Sequence, residues 1–224
     1  MYQRIGRASL KNNYLMSRII IISGVDGSGK TSIIEGVKAA LEADGKRVSY
    51  IWMRQNNRLV TLMHAIAKAT GLSKKEDTPL GRMWIHYFYK NKLFCWFYIR
   101  ATYIDNWLAR KKPLRFKTDY VICDRWVNDI VIDLASKTHD EFMITGKWYD
   151  RFQRLLPKES LQFVIIRDED SVLRCRVENT FNPAFERRYK LYSLLTKKSS
   201  IIRVDNNGPI ENSIEQVKQK IVYG

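Results

Sequence analysis

Residues 18–31 read Arg18-Ile-Ile-Ile-Ile-Ser-Gly-Val-Asp-Gly-Ser-Gly-Lys-Thr31, and this stretch decides the fold. Its first half, residues 18–23, is short, β-branched and apolar, which is the pattern of a central parallel strand covered on both faces. The second half, from Gly24 to Thr31, fits G-x-x-x-x-G-K-[ST] between that strand and a helix starting near Lys30. Glycines let such a loop curl so that successive N–H groups point at phosphate oxygens, and the following helix adds its positive N-terminus. The candidate phosphate-binding residues are therefore Gly24, Val25, Asp26, Gly27, Ser28, Gly29, Lys30, Thr31 and Ser32. Lys30 is expected to bridge the β and γ phosphates of ATP, and the Thr31 hydroxyl to ligate Mg²⁺.

Working outward, four further strand-like runs appear at residues 46–52, 119–123, 161–166 and 201–204, with helical patterns between them. Strands alternating with helices imply right-handed βαβ units. The expected fold class is α/β, a three-layer αβα sandwich around a central parallel five-stranded sheet. A long helical tract is expected at residues 58–69 and 81–110, interrupted by a polar turn, SKKEDTP. Its second piece carries Trp84, Tyr87, Phe88, Phe94, Trp96, Phe97, Tyr98, Tyr103 and Trp107, more aromatic surface than one buried stripe needs. Those rings are expected to cover a pocket or a homodimer face, or, beside the basic cluster RKKPLRFK, an anionic membrane surface. The first strand begins only after Met16, so residues 1–15 read as a basic arm without order and residues 16–224 as one domain.

With 39 Lys and Arg against 23 Asp and Glu, the formal net charge is +16, which points to anionic partners. Nucleotides satisfy that, and nucleic acid is not the expected partner. Cys95, Cys123 and Cys175 are widely spaced with no CxxC pair, so neither a disulfide framework nor a zinc site is indicated. No run approaches a membrane span or a signal peptide, and a cytoplasmic location is expected. His64, His86 and His139 show no ligand spacing and read as structural residues.

The sequence holds no NKxD guanine motif, no LSGGQ-type signature and no strand ending in DE, which argues against a GTPase or a motor. It holds instead Tyr120-Val-Ile-Cys-Asp124-Arg125-Trp126, a strand delivering a carboxylate and a guanidinium at the carboxyl edge where open α/β sheets bind ligands. GVDGSGKTS, VICDRW, and FVIIRDEDSVLRCR followed by FERRYKLY together resemble the thymidylate kinase family of nucleoside monophosphate kinases. The closing IIRVDNNGPIENSIEQVKQKI also suits that family, whereas residues 52–114 do not align with it.

The resemblance implies ATP- and Mg²⁺-dependent phosphoryl transfer to a nucleoside monophosphate, with dTMP to dTDP the leading version. It implies that Asp26 faces the acceptor, Asp124 holds the metal through water and Arg125 contacts the acceptor phosphate. Arg174 and Arg176 fall where the family carries lid arginines, and Arg174 is favoured as the one that supplies transition-state charge. Arg54 and Arg100 fall where acceptor-contacting residues are placed, with a solvated arginine an equally good reading of each. Asp129 and Asp133 depart from the family pattern. Four apart on a helix, they form a negative face that would repel a second phosphate unless it bound sugar hydroxyls or metal. Two other readings stay open: a kinase of this fold acting on a deoxynucleoside, sugar or other small phosphorylated acceptor, and a non-catalytic nucleotide-binding module docking on nucleic acid or an anionic membrane.

Overall fold

The isoleucine run forms strand β1, Arg18–Gly24, and it is uniformly apolar because both of its faces are covered. Ile19 and Ile21 join one core cluster, while Ile20 and Ile22 join the other. This computed structural model describes residues 17–53, 58–79 and 81–223. The basic arm expected at residues 1–15 and the acceptor contact expected at Arg54 lie outside those residues.

β1 leads through the glycine-rich loop into helix α1 (Lys30–Ala43) and strand β2 (Val48–Trp52). Helix α2 (Arg58–Ala69), strands β3 (Ser73–Thr78) and β4 (Gly81–His86), and helix α3 (Lys92–Ala109) follow. Strand β5 (Tyr120–Asp124) then precedes helices α4 (Val127–Thr138), α5 (Phe142–Thr145) and α6 (Lys147–Gln153). The chain closes with β6 (Leu161–Ile166), α7 (Glu169–Cys175), α8 (Phe185–Leu195), β7 (Ile202–Asp205) and α9 (Ile210–Tyr223). The main sheet is five-stranded, in the order β2-β5-β1-β6-β7, and every pair in it is parallel. On one face α1 and α9 bury Ile33, Val37, Leu41, Val217 and Ile221 against the even-numbered β1 residues. On the other, Trp126, Val127, Val131 and Ile132 near and on α4, with Leu191 and Leu195 of α8, cover the odd-numbered ones. The result is the expected three-layer sandwich. β1 sits at its centre, so the loop that follows it opens at the carboxyl edge beside β5 and β6.

The stretch expected to be a polar turn and the first part of a helix is instead a two-stranded antiparallel ribbon. β3 (SKKEDT) pairs with β4 (GRMWIH) in the register Lys75↔Trp84 and Glu76↔Met83. Its polar character fits its place outside the main sheet, where side-chain pairs across the ribbon do the holding. Arg82 pairs with Asp77 at 2.9 Å, Tyr87 donates to Glu76, and the Lys68 and Lys75 amines lie 4.4 and 5.5 Å from the Trp84 ring. The connecting turn reaches Gly81 at φ +100°, a left-handed conformation that glycine adopts freely. α3 therefore starts at Lys92, where the Asn91 side chain accepts from Phe94 N at 2.9 Å.

The aromatic surplus divides in two. Phe88, Phe94 and Tyr98 are core, whereas Leu93, Trp96, Phe97, Ile104, Trp107 and Leu108 are exposed along α3. Asp105, on the inner side of the same helix, is buried and accepts from Leu59 N and Val60 N, capping the start of α2. Among the described residues no helix is long and apolar enough to cross a membrane.

Candidate active site

The loop from Gly24 to Gly29 has three glycines at positive φ: Gly24 at 150°, Gly27 at 98° and Gly29 at 91°. All three positions are also closed by their neighbours, Gly27 by Val172 O at 2.9 Å from where a Cβ would lie. A Cβ on Gly24 would fall 2.6 Å from Ile165 O, and one on Gly29 would fall 2.3 Å from Asn206 Nδ2. Asn206, just after β7, donates that Nδ2 to Ser28 O at 2.8 Å and is itself held by Ser213 Oγ at 3.0 Å. Asn179 donates to Asp26 O at 2.9 Å from the other side. The loop is thus fixed before any ligand arrives, with the start of α1 behind it and Thr31 and Ser32 exposed there. That is the preorganisation an anion site needs.

Lys30 is buried and donates to Val25 O at 2.7 Å. Burial, reinforced by the Arg125 charge, lowers its pKa to about 8, against the pull of Asp26, 3.9 Å away. The ammonium is therefore under-solvated and short of counter-charge, a condition that a polyphosphate relieves.

Arg125 follows β5 directly and holds φ 61° while its N–H bonds Ile22 O at 3.0 Å. This conformation turns its side chain to meet Asp26 in an ion pair and Asp129 Oδ1 at 3.0 Å. Burial would lower the Arg125 pKa, but the carboxylates of Asp129 and Asp26 outweigh it and hold the guanidinium charged. Asp129 also accepts from Trp126 N at 3.3 Å and from the fully buried Tyr192 hydroxyl at 2.6 Å. The sequence reading of Asp129 as an acceptor ligand is thereby corrected, because its oxygens are committed to protein donors and it serves to aim Arg125. Tyr192, on α8, is the other end of that clamp.

Asp124 ends β5, opposite Ile22 of β1, and accepts from the Tyr50 hydroxyl at 2.9 Å on Oδ2. Its Oδ1 is buried without a partner. An orphaned carboxylate oxygen beside the loop, together with the exposed Thr31 hydroxyl, fits the oxygen-ligand chemistry of a hydrated Mg²⁺. No cluster of three or more His, Cys, Asp or Glu occurs among the described residues, so a cation there would draw its remaining ligands from water and phosphate.

The two lid candidates differ in placement. Arg174 bonds Ser171 Oγ at 2.7 Å on its own helix. Arg176, beyond the end of α7, lays its Cγ 3.2 Å from where a Cβ on Gly27 would be, with its head paired to Glu178 at 3.3 Å. Of the two, Arg176 is the one against the loop. Arg100 stacks over Trp96 at 3.4 Å and bonds the Trp96 carbonyl, which places it on the exposed face of α3 rather than with Arg125.

A cavity of about 360 Å³ opens one turn along α4 from Asp129, at Asp133. The ribbon and the turn after it form one wall with Trp84, His86, Tyr87 and Tyr89, and α4 and α8 form the other with Asp133, Lys137 and Arg188. Tyr89 stacks on His139 with ring centres 3.8 Å apart. Asp133, one turn after Asp129, meets Arg188 Nη2 at 3.1 Å. The negative face expected from Asp129 and Asp133 is thus neutralised by one arginine for each carboxylate. Sequence reasoning missed Arg188, Asn179 and Asn206. Only Asn206 left a signal, in the Asp-Asn-Asn that closes the last strand.

No family model matches the chain. It is 26% identical over 212 residues to a probable thymidylate kinase of Sulfurisphaera tokodaii, an alignment covering 92% of this chain and 96% of that protein.

Proposed function

We propose that this protein transfers the γ-phosphoryl group of ATP to a nucleoside monophosphate, with dTMP to dTDP the leading version. The observation that carries the proposal is the convergence of Lys30, Asp26 and Arg125 at the carboxyl edge of β1 and β5, next to a walled cavity. The similarity to a probable thymidylate kinase supports the same reading.

In this reading an oxygen of the acceptor phosphate attacks the γ phosphorus; the new P–O bond forms as the bond to the β-phosphate oxygen breaks, and ADP leaves. The chain contributes position and charge. Lys30 exchanges Val25 O for phosphate oxygens, the loop amides hold the β phosphate, and Arg125, aimed by Asp129, takes the acceptor phosphate. Asp26 sits between the two cations and faces the acceptor. Magnesium, when bound near Asp124 and Thr31, supplies further charge to offset the phosphates. Arg176, already against the loop, is the better placed lid arginine.

An acceptor panel read as ADP release tests the proposal. Monophosphates should outperform nucleosides and sugars, and a nucleoside that outperforms every monophosphate would sink the leading version. Asp26→Ala should raise the KM of the acceptor about tenfold while changing that of ATP far less, and an equal rise in both would show that the carboxylate does not face the acceptor.

The lowered pKa of Lys30 sets a pH dependence. Bound phosphates favour the ammonium, so ATP binding near pH 8.5 should take up a proton, and affinity should fall as pH climbs above about 8. Calorimetric titration in two buffers of different ionisation enthalpy measures that uptake. Lys30→Met should remove it, and an uptake that survives in the variant would assign it elsewhere.

A further inference from the structure

We infer that Arg188 selects the acceptor by charge, favouring one that already carries a phosphate over a neutral nucleoside, and that Asp133 is its positioning residue. The inference rests on the phosphoryl transfer proposed above and takes the cavity as the place of its acceptor. Arg188 stands near the start of α8, with a side chain 15% exposed, and Asp133 faces it from α4, 18% exposed. The pair is close, at 3.1 Å, yet Arg188 Nε and Nη2 are buried and complete no hydrogen bond. The contact is one of charge, off the line of either N–H, and Arg188 also lines the cavity wall.

The titratable groups around the cavity set its sign. His86, with its pKa lowered to about 4 by burial, and His139, lowered by burial and then by Arg187, are both neutral at pH 7. Lys137, Arg187 and Arg188 are the cations and Asp133 the carboxylate. Cations therefore outnumber carboxylates on the wall, and Lys137 already donates to the Tyr98 hydroxyl at 3.1 Å. Arg188 stands within the electrostatic reach of both Arg125 and Asp26, which joins the cavity to the transfer site. A phosphate entering there meets the charge of that guanidinium, and phosphate is the anion an arginine side chain recognises best. A neutral nucleoside would bring no charge to answer it.

The test uses the intact chain with dTMP, thymidine and ATP. In Arg188→Gln the KM for dTMP should rise about ten- to a hundredfold, the range of a lost charge-assisted hydrogen bond, while those for thymidine and ATP stay put. Arg188→Lys should recover part of the loss, and it serves as the probe if the glutamine variant does not fold. Asp133→Asn should raise the dTMP KM with kcat unchanged. A dTMP KM within about twofold of wild type, or parallel rises for dTMP and thymidine, would overturn the inference. Calorimetric titration separates this claim from the one beneath it. ATP binding without dTMP binding overturns selection by Arg188 and leaves the loop reading standing, whereas absence of ATP binding overturns the loop reading itself.

Discussion

Lys30→Ala should cost about a thousandfold or more in kcat and leave the fold intact, the scale of loss when one preorganised charge-stabilising donor is removed. The stability half of this expectation is the less obvious one. Burial lowers the Lys30 pKa from 10.5 to about 8, so the folded protein binds fewer protons than the unfolded chain between those values. For a cation lowered in this way the penalty is fully present below about pH 8 and disappears as pH rises through 10.5. At neutral pH it amounts to something on the order of 3 kcal/mol, which alanine removes along with the hydrogen bond to Val25 O. The melting temperature of the variant should therefore equal or exceed that of wild type. Thermal unfolding and a coupled ADP assay on the same preparation check both halves. A variant that turns over normally would remove Lys30 from the mechanism, and one that melts much earlier would mean that its charge supports the fold.

Arg125→Ala should instead damage fold and activity together. The guanidinium joins Asp26, nearly half exposed, to Asp129, which is 2% exposed. Its removal leaves Asp129 charged and buried, with only Tyr192 and Trp126 N as donors. Breaking one side of a buried pair costs about 3–5 kcal/mol. Asp26 can relax into water, so the loss belongs mainly to Asp129. Asp129→Asn in the alanine background should restore much of the stability and none of the activity, a separation that a double-mutant cycle reads directly. Arg125→Lys should fall between, since an ammonium keeps the charge but cannot reach Asp26 and Asp129 at once with a planar fork. Wild-type stability in Arg125→Ala would show that the clamp does not hold α4 and α8 against the loop.

How far the sequence reveals all this depends on how local each cause is. β6 runs over residues 161–166 as its pattern predicts, and β1 differs by one residue, because a strand buried on both faces declares itself in its own composition. The shape of the glycine-rich loop is equally legible, since glycine spacing and conformation are both local. The ribbon was not. SKKEDT carries no alternation of apolar and polar residues, and its stability comes from partners across the turn and from α2. Asp129 and Asp133 show both sides of the limit. Their spacing correctly places them on one face of α4, but that face is neutralised by Arg125 from the strand end and by Arg188 from a helix far along the chain. Asn206 lies 178 residues from Ser28, whose carbonyl it holds, and the Asp-Asn-Asn around it marks a polar strand end without naming its distant partner.

The most direct test follows the label from ATP carrying γ-³²P, incubated with the purified protein, magnesium and dTMP. The account predicts acceptor-dependent transfer, with label recovered in dTDP and one ADP formed for each. Label that stays in ATP, or appears only as inorganic phosphate at a rate indifferent to dTMP, would contradict it.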